Sequence, residues 1–379
     1  MKNNNWQIKY LKDLCIQAGE YGLNAPAISF TKEFPLYLRI TDITDDGIYS
    51  DKQRVSVAYT GTEKLLNNND FLFARTGATV GKTYLNRQTD EKIAFAGYLI
   101  RFVPDLNKIL PYYLVLYCQT KPYWKWVKIF SIRSGQPGIS AEEYGKLPIP
   151  CPPIEEQRRI VEVLECWDKG IELVKKLIEQ KELQKKYLMQ QLLSGTRRFK
   201  GFTQKWETAR ISEIKDIIIE KGHSLTKQEV IPGNIPVIAG GQTVPFFHNK
   251  WTHNFPCITI SASGAYAGYV WKHTQKIYAS DCNVLYSNNY NLDFLYYVLK
   301  YNQNYLYYIQ TGGAQGHIYA SEIGHISIPF INAREQQAIA EVLSSADKEI
   351  DLLKQKLAKL EAQKKGLMQV LLTGKIRLK

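Results

Sequence analysis

No stretch of the chain approaches the ~18 consecutive apolar residues of a membrane span. The N-terminal Met1-Lys-Asn-Asn-Asn-Trp6 also lacks the apolar core of a signal peptide. A cytoplasmic protein with no membrane partner is therefore expected. Cysteine is sparse: six residues, at 15, 118, 151, 166, 257 and 282, with no CxxC pairing among them. That spacing argues against a disulfide framework or a zinc site and leaves reduced thiols. Histidine makes no metal case either, since His248 and His253 stand five apart with no cysteine or carboxylate cluster beside them. Catalytic signatures are missing too: no Asn/Asp-Pro-Pro-Tyr tetrapeptide, no Gly-rich cofactor loop, no nucleophile elbow and no nuclease-like acidic pair. Gly77-Ala-Thr-Val-Gly81-Lys82-Thr83 comes nearest to a phosphate loop, but only three residues separate its glycines and Thr76 occupies the position where the first glycine is needed. Jointly these absences point to a chain that carries no chemistry of its own.

What the chain does have is size and positive charge. Its 379 residues are enough for two domains with cores, and 45% apolar content with a mean hydropathy of −0.29 describes a globular protein. The net charge of +13 favours a polyanionic partner. Basic residues exceed acidic ones by 5 in residues 1–154, by 3 in 155–200, by 1 in 201–332 and by 4 in 333–379. Such an even spread fits a long nucleic-acid footprint better than a single basic tail.

The chain also says one thing twice. Residues 155–199 align with 334–378 without a gap at an offset of 179, with 22 identities in 45 pairs. Ile160, Val163, Leu164, Trp167, Ile171, Val174, Ile178, Leu188 and Leu192 hold the 3-4 spacing of a helix, and Ile339 to Leu371 repeat its phase. No proline interrupts either run, and Gly195 and Gly374 stand where a C-terminal stop belongs. A helix of ~39 residues far exceeds the usual ~11–12, which favours a two-helix coiled coil over a plain amphipathic helix on its own core. Lys185 and Lys364 fall at equivalent seam positions, so the pairing is not apolar throughout.

Fainter correspondences precede the helices. Thr76-Gly77-Ala78 with Gly81 matches Ser263-Gly264-Ala265 with Gly268 at an offset of 187, and Trp6 matches Trp206 at 200. The shrinking offset gives the first globular part 21 extra residues. The expected organisation is a first globular domain over 1–154, a helix over 155–200, a second globular domain over 201–332 and a second helix over 333–379. The predicted class is α+β: two recognition domains separated by two long antiparallel coiled-coil helices, a pseudo-two-fold dumbbell. The returning helix would bring Lys379 near Trp6.

Candidate recognition residues cluster at matched positions. Arg75, Thr76, Thr79 and Lys82 lie on one loop, with Arg133, Ser134 and Gln136 on a second. Ser261, Ser263 and Tyr266, with Gln315, His317 and Tyr319, occupy the second half. Arg and Gln suit the base edges of guanine and adenine, and Ser and Thr suit phosphate oxygens.

Two segments carry a family resemblance: Leu147-Pro-Ile-Pro-Cys-Pro-Pro-Ile-Glu-Glu-Gln157 leading into Ile160, and Ile328-Pro-Phe-Ile-Asn-Ala-Arg-Glu-Gln336 leading into Ile339. With the helix ends Leu188-Met-Gln-Gln-Leu-Leu-Ser-Gly195 and Leu367-Met-Gln-Val-Leu-Leu-Thr-Gly374, they resemble the DNA-specificity subunits of Type I restriction-modification systems. The resemblance implies two domains that each read half of a split double-stranded DNA site. It also implies helices that act as spacer and dock two methyltransferase (modification) subunits, with restriction subunits joining in the full complex. Glu156, Gln157, Ile171, Leu188, Met189 and their counterparts Glu335, Gln336, Ile350, Leu367 and Met368 are the candidate docking and spacer residues. S-adenosylmethionine, ATP and Mg would belong to the partner subunits and no cofactor to this chain. Two rival readings are a DNA-dependent ATPase using Gly77–Thr83 and a coiled-coil scaffold that binds DNA without sequence preference.

Overall fold

The computed structural model describes residues 6–87, 90–312 and 316–378. The chain forms two compact units, Met1–Val174 with Lys356–Lys379, and Lys175–Gln355. Eight α-helices are described: α1 Pro111–Tyr117, α2 Lys121–Phe130, α3 Ala141–Gly145, α4 Ile154–Leu193, α5 Leu292–Tyr301, α6 Gln303–Tyr308, α7 Ala320–Gly324 and α8 Ala333–Leu371. The two predicted long helices are α4, with 40 residues, and α8, with 39. Both end before the expected glycines, and Gly195 and Gly374 have φ of +72° and +70°. The boundary between units falls within each helix, so a unit is a globular part closed by portions of both helices.

In the first unit a four-stranded sheet runs in the order Cys15–Tyr21, Leu99–Pro104, Phe71–Ala74, Thr83–Leu85. All its neighbours are antiparallel. The second unit repeats this sheet as Ile217–Lys221, Cys282–Ser287, Cys257–Ser261, Val270–His273. The additional residues of the first globular part contribute to a larger second sheet, four strands against three. In each unit a short antiparallel pair ties the start of the globular part to the proline-containing exit. Gln7–Tyr10 pairs with Pro148–Cys151, and Glu207–Arg210 pairs with Ser327–Phe330.

Strand and helix burial converge on one main core cluster per unit, beside smaller clusters in the second sheets. Phe71, Phe73, Phe102, Tyr113 and Tyr123 pack with Ile160 and Leu164 of α4 and with Leu371 and Leu372 at the end of α8. In the second unit Ile258, Ile260, Phe294 and Leu295 pack with Leu192 and Leu193 of α4 and with Ile339 and Leu343 of α8. Fully burying one such side chain contributes about 1.5–3 kcal/mol, so the helices are integral to both cores.

Within each unit the helices pair antiparallel, and the seam lysines explain themselves. Lys364 pairs with Asp168 in the first unit and Lys185 with Asp347 in the second. Each aspartate also accepts a tyrosine hydroxyl, from Tyr112 at 3.2 Å and Tyr297 at 2.7 Å. Burial first, and the adjacent Asp168 second, push the Tyr112 phenol up to about 12, so it remains a donor. A polar pair in an apolar seam costs desolvation but fixes the register of the two helices.

Candidate nucleic-acid interface and the helix clamp

The predicted loops are brought together, and in the same way in both units. In the first, Gly77 donates its amide to the Pro137 carbonyl at 2.9 Å and Ile139 donates to Arg75 at 2.9 Å. In the second, Gly264 donates to Gly316 at 3.0 Å and Ile318 donates to Ala262 at 3.0 Å. Gly81 and Gly268 close the two hairpins, with φ of +89° and +85°. A Cβ on Gly81 would meet Val127 at 2.7 Å, and one on Gly268 would meet the Leu306 carbonyl at 2.9 Å. A residue without a side chain is thus required twice, by conformation and by space.

This geometry removes the phosphate-loop reading of Gly77–Thr83. The amides of Gly77, Val80, Gly81 and Lys82 donate to the carbonyls of Pro137, Gly77, Ala74 and Thr79. No ring of free N–H groups is left to encircle a phosphate.

Burial and pairing sort the candidate residues. Ser134 and Gln136 are exposed in the first unit, as are Tyr266 and Tyr319 in the second. Arg75, Thr76, Thr79, Ser263 and His317 are half-buried at the same loops. Arg75 lays its guanidinium 4.8 Å from the Tyr21 ring centre, and its buried Nε has no hydrogen-bond partner. Thr79 donates its hydroxyl to the Thr76 carbonyl, and His317 stacks on Tyr319. One expectation needs correction, and three further candidates are engaged in pairs of their own. Ser261 is buried and cannot reach a ligand. The Lys82 ammonium sits 2.8 Å from the exposed Asp45, and Arg133 is held at 2.6 Å by both oxygens of Glu143, so each cation already faces a carboxylate at the surface. Ser263 is likewise engaged, donating to Asp281. Gln315 lies outside the described residues.

The candidate docking residues also need correction, for most face inward. Glu156 and Glu335 are buried, each gripped by an arginine and a tryptophan of its own unit. Arg377 binds both oxygens of Glu156, and the Trp6 indole donates to it at 3.1 Å. Arg198 binds both oxygens of Glu335 at 2.8 and 2.7 Å, and the Trp206 indole donates at 3.2 Å. The expected return of the C-terminal segment to Trp6 is seen in Arg377, over the Trp6 ring as Arg198 is over Trp206; Lys379 itself lies outside the described residues. Burial raises the Glu156 carboxyl, but the Arg377 and Trp6 hydrogen bonds outweigh it and hold the group below the ordinary carboxylate range. Gln157 accepts from the Leu110 amide at 2.9 Å, and Gln336 accepts from Asn291 at 3.1 Å. Ile171, Ile350 and Met368 are buried, and Leu188, Met189 and Leu367 are half-buried against the cores.

What the repeat leaves outside is a different set. Glu162, Lys169 and Leu173 are exposed in the first unit, and the identical Glu341, Lys348 and Leu352 are exposed in the second. Separations of seven and four residues put each trio on one face of its helix. Leu173 is 67% exposed and Leu352 is 64% exposed.

A family pattern described as "Type I restriction modification DNA specificity domain" matches residues 3–183 and 203–362. The chain is 25% identical to the Type I restriction enzyme MjaVIII specificity subunit of Methanocaldococcus jannaschii, covering 93% of this chain and 89% of that protein. It is 26% identical to a putative MjaX specificity subunit from the same organism, covering 99% and 94%. Among solved structures, the S subunit of a Type I restriction-modification system from M. genitalium superposes with a TM-score of 0.63 at 17% identity, over 98% of this chain and 97% of that one. A chain from a study of complex assembly in the Type I R-M system gives 0.62 at 19% identity, over 97% and 96%. Among the described residues, no helix is long and apolar enough to cross a membrane.

Proposed function

We propose a function from the premise that this chain belongs to the Type I restriction-modification DNA-specificity family. In this reading the chain is a non-catalytic subunit that selects a bipartite double-stranded DNA sequence. Two modification subunits dock on it and supply S-adenosylmethionine and the methyl transfer. Restriction subunits, with ATP and Mg, join through them.

One observation carries the reading. The exposed trio Glu162, Lys169 and Leu173 recurs unchanged as Glu341, Lys348 and Leu352, while the exposed loop residues differ between units. A surface kept identical twice suits two copies of one protein partner. Loops that differ, with Ser134 and Gln136 in one unit and Tyr266 and Tyr319 in the other, suit two different half-sites. The helices α4 and α8 each contribute residues to both units.

The test is single-molecule methylation sequencing of a host that expresses this chain with its modification subunits. A new split motif that disappears when this chain is omitted is expected. No new methylation, or the same motif without this chain, would overturn the reading. Inserting four residues in each of α4 and α8 at the unit boundary should lengthen the unspecified spacer of that motif.

A further inference from the structure

We propose that α2, which lies outside the candidate reading loops, is the first unit's grip on the DNA phosphate backbone, through Lys121, Lys125 and Lys128. This rests on the DNA-specificity reading and adds to it a division between gripping and reading.

The lysines stand at separations of four and three residues, which places them on one face of the helix. All three are exposed, and among the described residues no hydrogen bond or ion pair engages their ammonium groups, though the Lys121 amide donates to Gln369 at 3.1 Å. That contrasts with Lys82 and Arg133, each of which faces a carboxylate. No Asp or Glu occurs between Asp105 and Glu142, so this stretch of chain brings no countercharge of its own. A surface of unpaired cations fits a polyanion, and duplex DNA presents one charge per ~1.7 Å of axis.

The position of α2 is equally specific. The Tyr123 hydroxyl donates to the Gly81 carbonyl at 2.6 Å, and Trp124 and Val127 pack against Gly81 itself. Arg133 and the second loop follow the helix directly. The helix is therefore fixed beside both loops, with its lysines on the solvent face, away from the Tyr123 and Val127 face that packs on Gly81.

The second unit has the same scaffold without the charge. There α6 holds the equivalent glycine, with Gln303 donating to the Gly268 carbonyl at 2.7 Å and Leu306 packed beneath it. Its sequence, QNYLYY, carries no ionisable cation, and its exposed residues include Tyr305 and Tyr308, the latter 85% exposed. The nearby Lys300 is half-buried, its ammonium 4.2 Å from the Tyr269 ring centre. Electrostatic grip is thus concentrated in the first unit.

The test uses the full chain assembled with its modification subunits and a labelled duplex carrying the site found by methylation sequencing. Affinity is measured from about 50 to 200 mM salt. In the triple variant K121Q/K125Q/K128Q the slope of log affinity against log salt should weaken by about 2–3, since each phosphate contact contributes about 0.9. The methylated sequence should stay the same in both half-sites, and the triple Lys→Arg variant should restore the slope. An unchanged slope would overturn the proposal. So would a changed first half-site, which would make α2 a base reader, or failure to assemble with the modification subunits, which would make it a protein interface. If instead the unsubstituted complex binds a scrambled duplex equally well, the specificity reading itself falls, whatever the lysines do.

Discussion

The two units use one set of buried polar contacts and two unlike surfaces. Each has the same four-strand order, an Arg–Glu–Trp clamp at the start of a long helix, and a glutamine that ties the helix to its globular part. Outside that frame they diverge. All six histidines lie between residues 201 and 332, and the free lysines of α2 have no counterpart on α6. The difference teaches where substitution is tolerated. A buried carboxylate with three matched donors cannot change alone, because any single replacement leaves a charge or an N–H without a partner. An exposed loop side chain has no such bond to lose.

The strongest challenge to this likeness is to remove the clamps. Glu335→Ala and Glu156→Ala should each destabilise their own unit by about 3 kcal/mol at most, because each leaves an indole N–H unpaired and releases a partly exposed arginine. Chemical denaturation followed by unit-resolved hydrogen exchange measures this. Loss in only one unit would show that the matched clamps are not equivalent.

Acid should separate the units next. Burial, and to a smaller extent the nearby His253, lower the His273 pKa from 6.5 to about 4. The folded state keeps His273 neutral while the unfolded chain takes up a proton. Its contribution is therefore fully present above pH 6.5 and is lost as the pH falls towards about 4, up to roughly 3 kcal/mol. Residues 1–200 contain no histidine, so opening of the first unit should lack this slope. Persistence of the slope in His273→Gln would assign it elsewhere.

Docking offers a sharper comparison. Leu173→Lys and Leu352→Lys should each cost about 2 kcal/mol or more of partner affinity, as interface anchors do, with little effect on the fold. Native mass spectrometry should then show complexes with one modification subunit. A full complement in both variants would move the docking face elsewhere. Smallest is reading: Gln136→Ala should relax one base position of one half-site by about 1–3 kcal/mol, visible in the methylated motif. Changes in both half-sites would contradict separate readers.

The architecture was legible because it rests on periodicity. The seam positions, the stop glycines and the offsets of 200, 187 and 179 all correspond to observed elements, down to the paired loops and the two tryptophans. What escaped was whatever depends on a distant partner. Nothing local marks Asp45 as the counterion of Lys82, or Glu143 as that of Arg133. The lysines of α2 are spread thin in the net charge of residues 1–154, where acidic residues elsewhere offset them. Identity in the repeat does not by itself mark docking, for Glu156 and Gln157 are identical in both copies and buried. The usable signal was identity off the apolar seam, as at Leu173 and Leu352.

The ion pairs of the seam have a consequence for inheritance. Each copy of the repeat contributes one aspartate and one lysine, and the pairs Asp168–Lys364 and Asp347–Lys185 are the same match made in opposite directions. A copy is therefore both lock and key. Nothing in the seam labels which came first, so a gene could exchange either globular domain at the repeat boundary and still encode helices that fit.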